Sequence, residues 1–523
     1  MRSLLLMTSI WSHVLAVFFA FTPSLVCGQT PSKPNVLFIA IDDLNDWLGC
    51  LGGHPQAKTP NIDRLAQRGV LFANAHCAAP LCNPSRSSIF SGRQPLETGV
   101  FSNDDSTNIR MLHPEFVLIP QHFHNSGYQT FGAGKLLHKT TADLVDEGFF
   151  PDLRWSPFTP KQVDYTDKEL PSKGTSNPRH VTMLKGKSIV LPLNRMPSDR
   201  TPQNTGGDSF DWGALEVEDE EMGDGQIATW GAKQLRKVHE KPFFIAIGFY
   251  RPHIPLFAPK KYFDLYDGLE IKLPEVTEDD LEDLSPIARS RAIEAETAGA
   301  HATVLKYDQW PAAVKSYLAC VSFVDAQVGK LLDSLDASPN ANNTVVMLWS
   351  DHGWHLGEKQ HWGKWTGWQR STRVPLIVAN AKSSASSAQH VGAVCNQPVS
   401  LLDLYPTLIE LCQLPTVDGL AGRSVVPLLQ NPHQPTDRTV MTTFDRGNYS
   451  ITGSRWHYIR YADGSEELYD RDMDPHEWYN LAQDPKHADR KAELAKALPD
   501  ENAFSGPAAG GSVMKKKTKS KGK

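Results

Sequence analysis

"PNVLFIAIDDL", Pro34 to Leu44, is the stretch whose reading decides the fold. Six consecutive apolar residues, Val36 to Ile41, run straight into two carboxylates, Asp42 and Asp43. A β-rich apolar run of that length, without alternation, predicts a strand buried on both faces of a parallel sheet, with the acids at its carboxyl end. Neighbouring residues of a strand point to opposite faces, so the two acids can converge only at a bend just past it. Working outward, "TPNIDRLAQRGVLFANAHC" (59–77) predicts a helix capped by Thr59 with Pro60 at its first position, then a short second strand. "YQTFGAGKLLH" (128–138), "KPFFIAIGFYRPHIP" (241–255) and "NTVVMLWSDHGWHLGE" (343–358) each pass from an apolar strand into a loop carrying Lys, His or Asp. Amphipathic segments such as "AVKSYLACVSFVDAQVGKLLDSL" (313–335) lie between them. The alternation predicts a doubly wound α/β domain: a large, mostly parallel mixed sheet flanked by helices, with ligands beyond the carboxyl ends of its strands.

The chain has 523 residues, 40% of them hydrophobic and 21% charged, enough for a large core. A formal net charge of −6 excludes the basic footprint of a nucleic-acid-binding domain. Arg2, an apolar run and "SLVCGQT" predict an export signal over residues 1–28, cleaved after Gly28, with lipid attachment at Cys27 or an uncleaved anchor as the alternatives. Later apolar runs are too short to span a bilayer. The main α/β domain is expected over 30–435. Pro-, Ser-, Asp- and Gly-rich residues from Asp152 to Asp224 read as a long loop insertion over the sheet edge. Beyond "NPHQPTDR" the pattern becomes short strands with Gly turns, predicting a small antiparallel α+β subdomain over 436–503, closed by a helix near "DRKAELAKAL". The like-charged residues 504–523 read as a solvated, disordered tail. Six cysteines remain after cleavage of the seven, too few for a disulfide scaffold. Asn342 and Asn448 fit the N-x-[ST] pattern, which has meaning only in a glycosylating secretory system.

Asp351 and His352 repeat the placement of Asp42 and Asp43 at the end of another strand. The four together make an oxygen-rich set with one nitrogen donor, suited to calcium. Lys135 and His138 follow "TFGAG", His253 follows "FYRP", and Lys364 lies in "HWGKWTGW". Cations beside acid pairs can cradle a tetrahedral anion while histidines move protons. His355 and His361 read as ordinary core or surface histidines, with support of the metal site as the alternative.

"CNPSR" (82–86), followed by "SSIFSG" with Ser91 and Gly92, resembles the C-x-P-x-R signature of type I sulfatases, of the alkaline phosphatase superfamily. "IDD" before it, "GKLLH" and "RPHIP" after it, and "SDHGWHLGEKQHWGK" beyond follow the family order from Pro34 to Pro427. The resemblance implies that Cys82 is oxidised to Cα-formylglycine by a maturation enzyme. It implies one calcium ion held by Asp42, Asp43, the modified Cys82, Asp351 and His352. It further implies Arg86 holding the formylglycine hydrate, Lys135 and Lys364 binding sulfate oxygens, His138 as base and His253 as acid to the leaving oxygen. One hydroxyl of the hydrate would attack sulfur and the other, deprotonated, would expel sulfate. His352, where many sulfatases carry Asn, with "GFYRPHIP" and "SDHGWHLGE", is similar to the iduronate-2-sulfatase branch, which acts on 2-O-sulfated uronic acid. The expected protein is an exported enzyme, periplasmic, secreted or in a lysosome-like compartment, that removes sulfate from a sulfated carbohydrate. Two rivals share these residues: a phosphatase or phosphonate monoester hydrolase of the same superfamily, and a catalytically silent carbohydrate-binding relative.

Overall fold

In a computed structural model the described residues are 33–500, apart from 105–106, 140–141, 155–156, 159–162, 165–179, 198, 200–208 and 382–389. The expected leader at 1–28 and basic tail at 504–523 lie outside the described residues. The opening stretch forms β1 (Asn35–Ile41), every residue of it buried. The other strands of its sheet are β2 (Val70–Phe72), β3 (Gln129–Gly134), β4 (Glu147–Phe149), β5 (Phe243–Phe249), β6 (Thr344–Ser350), β7 (Leu376–Ala379) and β8 (Ala393–Cys395). Their order is β8-β2-β7-β6-β1-β5-β3-β4. β7 runs antiparallel to both its neighbours, and all other pairings are parallel.

β1 alternates between two cores. Leu37, Ile39 and Ile41 pack on one face with α1 (Pro60–Arg68), α3 (Gly223–Arg236) and α4 (Trp310–Asp336). Val36, Phe38 and Ala40 pack on the other with α2 (Cys82–Ser91) and α5 (Leu404–Cys412). Two covered faces explain why the run shows no polar alternation. Register then decides where the chemistry falls. Ile41 pairs with Phe249 and Ser350, and Gly248 pairs with Gly134. The residues that follow, Asp42, Tyr250 and Asp351, therefore emerge in line at one edge, with Lys135 one step behind them, level with Phe249. Gly134, at φ +69°, permits the close approach there, since a Cβ on it would lie 2.1 Å from the Gly248 carbonyl.

The segment 152–224, expected as a loop, contains strands. His180–Leu184 and Lys187–Leu191 form a hairpin, with Val163–Asp164 pairing at its edge, and Trp212–Leu215 pairs parallel with Leu256–Pro259. The hairpin turn, Lys185-Gly186, has both φ angles positive, the geometry that matches strand twist. Its five-residue strands are short, and Lys-Gly is not the Asn-Gly or Asp-Gly signal by which such a turn is read. The C-terminal sheet is antiparallel, β9 (Val440–Asp445), β10 (Asn448–Thr452), β11 (Trp456–Arg460) and β12 (Glu466–Asp470), followed by α6 (Ala488–Ala495). None of the six described cysteines is paired.

Thr59 occupies the N-cap of α1 and Pro60 its first position, but Thr59 caps no helix amide. Its hydroxyl donates to Asp63, and the buried Asp325 of α4 accepts from the Asn61 and Ile62 amides instead. A tertiary contact, which local sequence cannot show, does the capping. Asp325→Ala should therefore lower stability by about 2 kcal/mol in urea unfolding, because two helix donors lose a buried acceptor. An unchanged midpoint would mean that the contact caps nothing.

Candidate active site

Four adjacent parallel strands, β6, β1, β5 and β3, deliver Asp351 and His352, Asp42 and Asp43, the His253 loop, and Lys135 with His138. Asp43 makes the required bend with φ +60°. A non-glycine residue there costs roughly 1–2 kcal/mol. Its amide donates to Asp351 Oδ1 (3.2 Å), and its carbonyl accepts from the buried Tyr317 hydroxyl (2.8 Å), which in turn accepts from the Asn45 amide (2.9 Å). Both acids are thereby turned to one point and fully buried.

Residue 82 enters as the first residue of α2. The helix ends at Gly92, φ +70°, where a Cβ would lie 2.3 Å from Leu420, and Ser91 Oγ bonds back to the Ser87 carbonyl (2.7 Å). The last two positions of the signature thus close the helix that carries its first. Cys82 Sγ lies 3.0 Å from Lys364 Nζ, 3.3 Å from His352 Nε2 and 3.5 Å from Asp42 Oδ1. A side-chain hydrogen bond from His138 also reaches it. Lys135 Nζ bonds Asp42 Oδ2 (2.5 Å), and Lys364 Nζ bonds Asp43 Oδ1 (2.7 Å). Arg86 Nε donates to Asp351 Oδ2 (2.7 Å) while Nη1 donates to the Lys135 and Leu136 carbonyls. His253 Nε2 stands 3.9 Å from Asp43 Oδ2. All ten sequence-predicted site residues meet at this edge of the sheet.

Charge pairing separates this cysteine from the rest. Burial pushes the thiols of Cys50, Cys320 and Cys412 up to about 12 and raises those of Cys77 and Cys395. Burial acts on Cys82 too, but Lys135, Lys364, His352 and the His138 bond outweigh it and hold its thiol well below the usual range. Burial likewise opposes charge on Lys364, yet Asp43, Cys82 and Asp42 raise its ammonium.

The donors suit a hard cation. Asp42, Cys82, Asp351 and His352 each offer an atom within 4.8 Å of the others, as do Asp42, Asp43, Cys82 and His253. The buried Asp43 Oδ2 has no hydrogen-bond partner. His352 Nδ1 faces the Gly353 carbonyl (3.0 Å) and so acts as a donor, leaving Nε2 to face the acids. Burial disfavours charge on this ring, but Asp351 beside it pushes its pKa up to about 9, so the cluster draws positive charge to the place where a divalent ion would supply it. His355 and His361 are buried outside this set, His355 on Thr366 and the Glu358 carbonyl, His361 on the Ala292 and Lys364 carbonyls.

The Sulfatase family model matches residues 34–414, and the N-sulphoglucosamine sulphohydrolase C-terminal model matches residues 357–503. The chain belongs to the sulfatase family. This sulfatase is 36% identical to a "Sulfatase" of Formosa agariphila over 90% of its own length and 87% of the relative's. It is 30% identical to human iduronate 2-sulfatase, over 76% of its length and 71% of that protein's. It is accordingly a sulfuric ester hydrolase. The phosphonate monoester hydrolase of Agrobacterium radiobacter superposes with a TM-score of 0.69 at 21% identity, covering 90% of the sulfatase and 96% of that chain. The architecture alone therefore does not select sulfur over phosphorus.

Sequence reasoning missed Arg251 and Asp224. Arg251 is buried, and its Nη1 and Nε donate to the carbonyls of His253 (2.6 Å) and Phe257 (2.8 Å), while Asp224 accepts from the Tyr250 and Arg251 amides (both 2.8 Å). Their partners are backbone atoms, which leave no pattern in side-chain spacing. Arg251→Lys cannot span both carbonyls. It should lose about 2 kcal/mol in urea unfolding and slow turnover of a sulfate ester, and wild-type values in both would remove Arg251 from the support of the His253 loop.

Proposed function

We propose that this sulfatase is exported by its 1–28 leader and cleaves sulfate esters of a sulfated carbohydrate, a uronate 2-O-sulfate of a glycosaminoglycan being the substrate of choice. It would do so with Cα-formylglycine made from Cys82 by a maturation enzyme, and with one calcium ion. The observation that carries this is the position of residue 82, at a helix start among three acids and three cations, with a thiol unlike those of the other five cysteines among the described residues. The iduronate 2-sulfatase relative supports the sugar class. Asp42, Asp43, residue 82, Asp351 and His352 would hold the ion, which would lower the charge on the sulfate oxygens and the pKa of a nearby hydroxyl. A hydrated aldehyde at residue 82 supplies one hydroxyl to attack sulfur and a second whose deprotonation releases sulfate.

The chain's own side chains do the rest. Lys135 and Lys364 are nearly buried, so their charges face the sulfate oxygens with little solvent screening. Arg86 is aimed by Asp351 and two carbonyls and holds the residue 82 hydroxyls. His138, hydrogen bonded to residue 82, takes the proton of the second hydroxyl. His253 Nδ1 is engaged with the Ile254 carbonyl (2.6 Å), leaving Nε2 to protonate the leaving oxygen.

Maturation should lower the mass of the Cys82 peptide by about 18 Da, the difference between thiol and aldehyde. Unmodified thiol in fully active protein would defeat this reading, as would turnover by Cys82→Ala. Calcium at 100 times its Kd should stabilise chelator-stripped protein by about 2.7 kcal/mol in thermal unfolding, and Asp43→Asn should lose most of that gain. Desulfation of defined oligosaccharides tests the sugar, and loss of activity on every uronate 2-O-sulfate would move the substrate elsewhere.

A further inference from the structure

The C-terminal sheet touches both chain segments that bring residue 82 and Lys364 together. Thr442 Oγ1 and the Thr443 amide of β9 donate to the carbonyls of Cys77 (2.6 Å) and Ala78 (2.8 Å), just ahead of α2. The Trp365 amide donates to the Pro80 carbonyl (2.9 Å), so the two segments are also tied to each other one residue from Lys364. The flanks of Lys364 are then held from the C-terminal side. Glu467 of β12, buried, accepts from Trp368 Nε1 (2.8 Å) and from the Tyr461 and Tyr469 hydroxyls (both 2.7 Å). Glu477, also buried, accepts from the Gln369 amide (2.9 Å), and its carbonyl accepts from Lys359 Nζ. Arg291 bridges the Trp365 carbonyl (3.3 Å) and Asp445 of β9 (3.4 Å).

A carboxylate buried with three donors is costly unless each bond is made, so Glu467 accepts few placements of Trp368. Lys364 lies four residues before that anchor and five after Lys359. Its side chain is long and flexible, and a backbone fixed on both sides is what confines Nζ to 3.0 Å from Cys82.

We propose that the C-terminal sheet is a positioning element for the reaction, setting the separation between residue 82 and Lys364 through Trp368–Glu467 and Arg291–Asp445. The proposal rests on the reading of Lys364 as a sulfate-binding residue. Trp368→Phe keeps an aromatic side chain and removes the indole donor, with some loss of buried volume. With 4-nitrocatechol sulfate and matured enzyme, it should lower kcat/KM about tenfold, mainly in kcat. In a Lys364→Arg background the same change should cost less than about twofold, because residues acting through one another are not additive. Equal factors in the two backgrounds, or a lowered Tm with unchanged kcat/KM, would overturn the proposal. If Trp368→Phe does not fold, the same cycle with Asp445→Asn decides the question by the same criteria. Full activity of Lys364→Arg alone would instead refute the reading of Lys364, so the two failures are distinguishable.

Discussion

Mutual neutralisation of buried charge is the constraint on which this site depends. Asp42, Asp43 and Asp351 are fully buried, and Arg86, Lys135 and Lys364 are at most 4% exposed. Removed from water, none of these groups is affordable alone, and each is held by partners of opposite sign. Residue 82 sits where their fields overlap. The field that depresses its thiol, set by Lys135, Lys364 and His352, is one that favours an anionic group such as sulfate at the same place.

Such a cluster requires that four separate segments end at the same height. Parallel pairing provides this to within one residue, because register between β6, β1 and β5 places Asp351, Asp42 and Tyr250 in one row, and Lys135, past β3, stands one step behind them. The ladder even continues one step beyond the strands, through Asp42 to Phe249, Asp351 to Ile41 and Lys135 to Gly248. Glycine at 134 and left-handed backbone at Asp43 are local concessions to this convergence. Both are supported by tertiary contacts rather than by their neighbours in sequence.

Around the cluster lies a ring of supports that share one feature: they bind backbone. Tyr317 holds the Asp43 carbonyl, Ser85 the Asp351 carbonyl and Arg251 the His253 carbonyl. The C-terminal sheet extends the same principle to Cys77 and Ala78, and Glu477 in the loop that follows it extends it to the Gln369 amide. The sheet's contacts with Trp365 and Trp368 make it part of the same body as the Lys364 segment, and a hydrophobic cluster of Trp368 with Phe444, Ile459, Tyr461 and Tyr469 is shared between them.

The strand-to-acid runs, the short signature after "AHC" and the switch to hairpin pattern past residue 436 were legible in the chain alone. Each is written in local periodicity or in spacing along one element: β1 is apolar throughout because both its faces are covered, and Cys82 and Arg86 share a helix turn. The hairpin within 180–191 escaped because its strands are short and its Lys-Gly turn is not a usual hairpin signal, and the capping of α1 by Asp325 because its acceptor lies 263 residues away from Ile62. Which strands are neighbours, that Lys364 reaches Cys82 across 282 residues, which carbonyls Arg251 and Tyr317 secure, and that Glu477 holds the Gln369 amide were decided only in three dimensions. Side-chain type and spacing record what a residue can do, whereas the partner that makes it do so is chosen by sheet order and packing.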